Sequence, residues 1–558
     1  MIIDAEKYLQ EIIARALQTL GWPAGAGEPR DHAEAIVINR PRQEGFGDFA
    51  TPIAMNLAKA LKKSPKILAQ ELTAALQYDD AVIDTITIDG PGFINFRLTP
   101  RYWQNTLAGI LKTRETFGTS NWAHNQKINI EFVSANPTGP LNVVNARAAS
   151  IGDVLANLLQ AAGAQVTREY YINDAGQRVK ALGYSISSRY MDLFRIAEPF
   201  PEDGYHGEYV KDLAVALYKE FGDRFVSMPL DERSREFTRI GLERMIAAQR
   251  QTLAEFRVQY DVWFSEQSLL DSRREDDVLQ LMQEKGGSYE KDGAVWFRSA
   301  RFGDEQDRVL VKKDGEPTYF LGDIAYHMDK FRRGFTQLYD LWGPDHHGHV
   351  ARMKAAMTAL GYPSGSLEVL IIQQVNLLSG GEMVKMSKRR GKIIEMRELL
   401  EEVGVDAARY FFLMRTLDTP MDFDLDLAKK QTDENPVYYV QYAHARVCNI
   451  LHYAAEQAHV SGAGADLSLL KEAEEIGVMK KLAEFPEVVS KAAKFLEPHR
   501  VTNFLQETAS AFHHFYQKHR VVGNDAALTQ ARLQLVEGVR TVLANALRLL
   551  NVSAPERM

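Results

Sequence analysis

The stretch that most constrains the fold runs from residue 127 to residue 172. Lys127-Ile128-Asn129-Ile130-Glu131-Phe132 reads as a short apolar strand. It enters the Pro/Gly-rich loop Ser134-Ala135-Asn136-Pro137-Thr138-Gly139-Pro140, and a helical stretch follows over about 143–162. Gln165-Val166-Thr167-Arg168-Glu169-Tyr170-Tyr171-Ile172 is strand-like again. Strand, loop, helix and strand in that order make a βαβ unit, and such a unit predicts a parallel sheet. The expected fold class is therefore α/β, a doubly wound, Rossmann-like sheet.

Further strands are expected at 306–312, 318–321 and 369–375, and the charged, helix-rich sequence before them reads as an insertion, at about 180–300, between the halves of that sheet. Upstream, residues 2–20 carry Ile3, Tyr8, Ile12, Ile13 and Leu17 near helical spacing, and 49–77 also looks helical. Val82 to Ile88 alternates with period two, and Gly90-Pro91-Gly92 separates it from Phe93 to Leu98, which predicts a hairpin. From about 394 onward the patterns are almost entirely helical. The 558 residues predict three to five domains at roughly 100–200 residues each. The expected division is an α+β module at 1–115, the α/β domain with its insertion at 116–393, a helical connector at 394–430 and an all-α module at 431–558.

Composition excludes some classes. The single Cys448 rules out a disulfide framework or a zinc ribbon. No run of about 18 uncharged apolar residues suggests a membrane span, and MIIDAEKYLQ lacks the parts of a secretory signal, so a cytoplasmic protein is expected. A net charge of -8, from 66 basic and 74 acidic side chains, argues against bulk polyanion binding but leaves local basic patches open.

Three segments carry chemistry. In Lys385-Met386-Ser387-Lys388-Arg389-Arg390-Gly391-Lys392, two lysines three apart beside glycine make a cationic clamp suited to a polyphosphate, or else a solvated basic loop. No P-loop pattern exists. The second is the loop after the first sheet strand, the carboxyl-end position where open α/β sheets bind ligands. There Asn142 and Asn145 can share one face of the first helical turn, to meet a ligand or simply to cap the helix. The third, Trp342-Gly343-Pro344-Asp345-His346-His347-Gly348-His349, admits a metal reading, but ribose binding by Asp345 fits at least as well and no second ligand cluster is apparent. The site is therefore expected to hold no metal of its own.

Read together, SANPTGPLNVVNAR, VKMSKRRGK and WGPDHHGH resemble the signature segments of class I aminoacyl-tRNA synthetases, and most closely those of the arginyl-tRNA synthetases. The likeness extends through Gly45-Phe46-Gly47-Asp48-Phe49-Ala50, Glu169 to Gly176 and Asn435 to Arg446, and so spans nearly the whole chain. The resemblance implies ligation of L-arginine to tRNA(Arg) through an arginyl-adenylate made from ATP, with pyrophosphate leaving first. Enzymes of this family usually need tRNA bound before they activate arginine. ATP, as its Mg2+ complex, is the expected substrate; no tightly bound cofactor, no membrane partner and a monomer are expected.

Residue by residue, the resemblance implies Lys385, Ser387, Lys388, Asn142 and Asn145 as the catalytic set. ATP would contact Pro140, Leu141, Val144, Gly343, Asp345, His347 and Met386. Arginine would contact Glu131, Ser134, Asn136, Tyr319 and Asp323, with Asp323 on the guanidinium, Tyr319 beside it, and Asn136 and Glu131 at the α-amino end. Tyr439, Tyr442, Arg446, Tyr516 and Arg520 would meet tRNA in an anticodon-reading module, with the N-terminal module at the tRNA elbow. One departure stands out: the family's H-x-G-H tetrad is here Asn142-Val143-Val144-Asn145. Asparagine donates a neutral hydrogen bond but cannot become cationic. Two other readings thus remain, a catalytically silent relative that binds tRNA and a small-molecule nucleotidyltransferase, and deletion beyond about 430 is expected to separate the latter from a synthetase.

Overall fold

The computed structural model describes residues 4–23, 36–41, 43–384, 394–457 and 464–558. The N-terminal module comprises α1 (Ala5–Thr19), β1 (Phe49–Thr51), α2 (Ile53–Leu61), α3 (Pro65–Ala75), β2 (Ile83–Asp89), β3 (Phe93–Leu98) and α4 (Pro100–Thr113). The expected hairpin is β2–β3, antiparallel, with β1 on the other side of β3. The stretch 49–77 is not one helix. Lys62 adopts a left-handed conformation (φ 52°) that ends α2, and Ser64 caps α3 by accepting from Ile67 N, with Pro65 in its first turn.

The central α/β region begins with β4 (Lys127–Glu131), α5 (Val143–Ala161) and β5 (Gln165–Ile172), the βαβ unit. Then come α6 (Gln177–Asp192), α7 (Glu208–Phe221), α8 (Leu230–Glu255), β6 (Val262–Ser265), α9 (Glu266–Asp271), α10 (Arg274–Glu284), β7 (Ser288–Lys291), β8 (Ala294–Phe297) and β9 (Arg308–Val311). α11 (Tyr319–Arg332), β10 (Gln337–Trp342), α12 (His347–Leu360) and β11 (Leu367–Ile371) complete it. Five strands pair in the order β6-β5-β4-β10-β11, all parallel. In chain order that is 3-2-1-4-5, a doubly wound sheet whose order reverses between β4 and β10, and ligands bind outside the carboxyl ends of the strands at such a point. Gly152 lets α5 lie on β4: a Cβ there would come 2.2 Å from Cγ of Phe132.

Three expectations need correction. Residues 318–321 are not a strand: Thr318 precedes α11, and Tyr319 opens it. A four-residue apolar run has no period that separates strand from helix, and the helical pattern through Phe331 decides it. The strand at 308–311 pairs antiparallel in a separate sheet, β7-β8-β9, rather than in the parallel one. The stretch 369–375 spans the end of β11 and the start of β12 (Val375–Ser379), which belong to different sheets. The inserted material lies in two places: α6–α8 between β5 and β6, and the small antiparallel sheet between β6 and β10.

Beyond β12 follow β13 (Glu382–Met383), α13 (Met396–Val403), α14 (Val405–Leu413), β14 (Met421–Asp424) and α15 (Leu425–Lys429); β14 pairs with β12 and interrupts the helical pattern. The C-terminal bundle is α16 (Pro436–Glu456), α17 (Ala473–Ala483), α18 (Phe485–Lys494), α19 (His499–Lys518) and α20 (Ala526–Leu549). One apolar core runs from α1 through α5 into this bundle. The segment after α20 stitches the modules together. Asn551 Nδ2 donates to Asp153 of α5 (2.6 Å), buried Arg409 of α14 bonds both Asp153 (2.6 Å) and Leu550 O (3.0 Å), and His444 of α16 bonds Pro555 O (2.9 Å). Deletion beyond about 430 therefore removes bonds of the α/β domain itself, and it does not isolate the role of the C-terminal module. No described helix is long and apolar enough to cross a membrane.

Candidate active site and tRNA surface

The register that pairs Asp340 with Glu131 brings the carboxyl ends of β4 and β10 side by side. The chain leaves β4 through Val133 (φ 69°) and Ser134 (φ 36°), two consecutive non-glycine residues in the left-handed region. Such conformations persist only where surroundings impose them, commonly at functional sites. Here Ser134 Oγ donates to Glu131 Oε1 (2.9 Å) and accepts from Tyr171 N (3.1 Å). The following loop is held from α7 and α8. Gln249 Nε2 donates to the carbonyls of Asn136 (3.0 Å) and Gly139 (2.8 Å), and Tyr209 Oη donates to Thr138 O (2.8 Å). Neither residue stands out in the sequence, because each lies on a separate helix some 70 to 110 positions away.

Asn142 and Asn145 form a capping box. Asn142 Oδ1 accepts from Val144 N (3.0 Å) and Asn145 N (3.2 Å), while Asn145 Oδ1 accepts from Asn142 N (2.9 Å). Both side-chain oxygens are thus committed to the helix end. Neither Nδ2 has a hydrogen-bond partner among the described residues, and both side chains are half-buried. The capping and ligand readings of this pair are compatible, since oxygen serves the one and nitrogen is left for the other. Val144 is half-buried in the same turn.

At the other end, Asp323 sits in the first turns of α11, and its carboxylate accepts from His349 Nε2 (2.9 Å). Tyr319 is 84% exposed. Glu266, at the start of α9 and in no notable motif, and Asp174, in the Glu169–Gly176 segment, join this group. Burial, and then the neighbouring Asp323 and Asp174, raise the Glu266 carboxyl above its ordinary range. Buried Tyr171 lies among Glu266, Asp323 and Glu131, and burial followed by these negative neighbours pushes its hydroxyl well up. No Lys or Arg side chain pairs with Glu266, Asp323 or Asp174 among the described residues. Glu131 is different: it is buried and bonds Lys330 Nζ at 2.6 Å, and burial raises its carboxyl against that pull. Asn136 is exposed, its Oδ1 accepting from Asn173 Nδ2 (3.3 Å).

After β10, a Cβ on Gly343 would meet no protein atom within 4 Å, and Asp345 and His347 are exposed with no ion-pair partner among the described residues. The third histidine of that segment, His349, serves Asp323. No group of three or more His, Cys, Asp or Glu among the described residues could hold a metal ion. Lys385, Met386, Ser387 and Lys388 lie outside the described residues. On the far side of that stretch, Met396 N donates to Leu141 O (2.8 Å) and Glu395 bridges Asn142, so residues 395–396 lie against the second half of the β4 loop, beside Pro140. Fully buried Arg147 of α5 ties the same parts together. It donates to the carbonyls of Gln373 (2.9 Å), Gln374 (3.3 Å), Thr416 (2.9 Å) and Thr419 (2.9 Å).

In the C-terminal bundle, Gln431, Thr432, Tyr438, Tyr439, Tyr442, Arg446, His513 and Gln517 line a cleft of about 520 Å³ with Asp433. Tyr438 and Tyr442 are parallel with ring centroids 6.1 Å apart, and Arg446 lies 4.6 Å over Tyr442 and 5.5 Å from Tyr516. Aromatic faces beside a cation suit unstacked bases. Arg520 is exposed and does not line the cleft; its carbonyl accepts from Arg532. His444 and Phe515 point into the core, while Lys518 and His519 pair with Glu474.

Three protein families match successive stretches of the chain. The family described as arginyl tRNA synthetase N terminal domain matches residues 7–98. The family tRNA synthetases class I (R), catalytic domain, matches 106–416, and DALR anticodon binding domain matches 440–558. A protein of Desulforudis audaxviator named arginine–tRNA ligase is 47% identical over 556 residues, covering 99% of this chain and 98% of that one. A protein of Geobacillus kaustophilus with the same name is 50% identical over 532 residues, 95% of each. The Thermus thermophilus arginyl-tRNA synthetase structure superimposes with a TM-score of 0.76 at 22% identity, over 99% of both chains, and so shares the fold.

Proposed function

This chain belongs to the arginyl-tRNA synthetase family, and from that premise we infer how its residues divide the reaction. It ligates L-arginine to its tRNA, using ATP to form arginyl-adenylate and releasing pyrophosphate and AMP. Both steps are displacements, so alignment and charge stabilisation carry the rate more than a side-chain nucleophile does.

The observation that carries the assignment of the amino-acid end is the acidic group Glu266, Asp323 and Asp174 around Tyr171, unneutralised by any described Lys or Arg. A guanidinium is a planar cation that pairs best with carboxylates. Asp323, steadied by His349, takes the guanidinium with Tyr319 beside it, and Glu266 adds a second negative charge. Ser134, Glu131 and Asn136, at the strained exit of β4, hold the α-amino end. Asn142 and Asn145 donate their free amides to ATP phosphates at the amino end of α5, where the helix dipole favours an anion. Adenosine lies along Pro140, Leu141, Val144 and Gly343, with Asp345 and His347 at the ribose. Lys385, Ser387 and Lys388, with Met386, complete the phosphate side by resemblance. Magnesium enters with ATP.

The 1–115 module meets the tRNA elbow, 394–430 connects, and 431–558 reads the anticodon loop through Tyr439, Tyr442, Arg446 and Tyr516, with Arg520 at its margin. A cytoplasmic monomer acting on tRNA(Arg) is the corresponding picture. The test is Asp323→Ala in tRNA-dependent ATP–pyrophosphate exchange. The arginine KM is expected to rise about ten- to a hundredfold, because a hydrogen bond between charged groups contributes about 1.5–3 kcal/mol, with the ATP KM within about threefold. An unchanged arginine KM overturns the assignment.

A further inference from the structure

Beneath the amino-acid end, Glu131 leads into a chain of buried charged groups, Lys330, Asp340 and His327, that the proposed reaction does not touch. Lys330 Nζ bonds Glu131 Oε2 (2.6 Å) and Asp340 Oδ1 (2.9 Å), and all three residues are buried, Lys330 and Asp340 completely. Asp340 Oδ2 lies 2.5 Å from His327 Nε2, and His327 Nδ1 lies 2.7 Å from the carbonyl oxygen of Asp323. The chain therefore begins at Glu131 and ends at the backbone of Asp323, the two acidic residues proposed above for opposite ends of arginine.

His327 is 3% exposed, and both of its ring nitrogens face atoms that only accept. A neutral imidazole has one N–H, so one nitrogen would present a lone pair to an oxygen. A further proton must sit in this arrangement, on His327 or on Asp340. Lys330, bonded to the other oxygen of Asp340, favours the carboxylate and leaves the proton on the ring. Counted locally, Glu131 and Asp340 bring two negative charges against the one positive charge of Lys330, and an imidazolium balances them.

We propose that His327 is a positioning residue, held as a buried imidazolium, that fixes the first turns of α11 and so sets where the Asp323 carboxylate stands relative to Glu131. The inference rests on the placement of arginine between those two residues. The charged groups facing His327 are Asp340 from β10, Lys330 from its own helix and Glu131 from β4, with the Trp342 ring 6.4 Å away, while Glu169 of β5 faces Lys330. The net pull of Asp340 raises the imidazole above its ordinary range although burial works against it.

Two measurements test this. The first is 15N NMR of the full-length enzyme labelled at histidine, comparing the wild type with His327→Gln at pH 8. One of the 14 histidines is expected to show both ring nitrogens protonated, a signal absent from the variant. A wild-type spectrum without it overturns the proposal, whether or not the variant folds. The second is exchange kinetics. His327→Gln is expected to raise the arginine KM tenfold or more, with the ATP KM and kcat at saturating arginine changed less than about threefold, a split that general loosening of the fold would not give. If Asp323→Ala raises the arginine KM and His327→Gln does not, the positioning role is refuted. If neither variant changes it, the placement of arginine is wrong and the positioning role falls with it.

Discussion

Asn142 serves the helix with its oxygen and, in the proposed site, ATP with its nitrogen, and two substitutions separate the tasks. Asn142→Ala removes both. Loss of the cap costs about 1 kcal/mol, because Val144 N and Asn145 N lose their acceptor. Asn142→Asp keeps the acceptor and places a negative charge at the amino end of α5, a gain of about 0.3–1 kcal/mol. The same change deletes the Nδ2 donor. A hydrogen bond to a charged acceptor contributes about 1.5–3 kcal/mol, so its loss predicts a fall of roughly ten- to a hundredfold in kcat/KM for ATP, and repulsion between carboxylate and phosphate adds to it. The assay is tRNA-dependent ATP–pyrophosphate exchange beside urea unfolding. Asn142→Asp should be as stable as the wild type or slightly more so, yet slower than Asn142→Ala. An Asn142→Asp enzyme that exchanges at the wild-type rate would refute the phosphate role and leave the residue a helix cap.

Three further outcomes are expected. Glu131 and Glu266 take up protons at a higher pH than ordinary carboxyls, and a cationic substrate needs them ionised; the arginine KM should therefore climb as the pH is lowered, from above the pH at which ordinary carboxyls begin to protonate, while the ATP KM, measured in parallel, climbs less. Arg147→Met leaves four carbonyls without their donor and should destabilise the enzyme by about 3 kcal/mol or more in urea unfolding; a loss under about 1 kcal/mol would show that water replaces the guanidinium. Arg446→Ala removes the cation between Tyr442 and Tyr516 and should weaken tRNA affinity about tenfold in filter binding, with a wild-type arginine KM at saturating tRNA.

The fold was legible where period and punctuation agreed. The βαβ unit at 127–172 shows a strand, a Pro/Gly loop, a long helix and a strand, and the parallel sheet follows. Thr318-Tyr319-Phe320-Leu321 misled because a short apolar run fits either element, and only the longer helical pattern through Phe331 settles it. At the site, the residues on signature loops could be named, but their partners could not. Glu266, Gln249, Tyr209 and His327 reach it from separate helices, through contacts that no local pattern encodes. His349 shows the limit most clearly. Within a segment that resembles an ATP-binding motif, it turns instead to Asp323 of the amino-acid end. The asparagine pair was legible as two alternatives, and the split between oxygen and nitrogen could be seen only with the bonds in place.

The link between Asp153 and Asn551 spans 398 positions, and Arg409 joins it from between. On a ribosome this spacing acts as a clock. At about 5–20 residues per second, an interval of roughly 20 to 80 seconds separates the making of α5 from the arrival of the residue that completes its bonding. During that interval Asp153 lacks Arg409 at first and Asn551 throughout, and the apolar surface that α5 shares with the bundle stays open until the bundle helices are made. A partly made chain thus carries α5 without its full set of partners until the last residues are made.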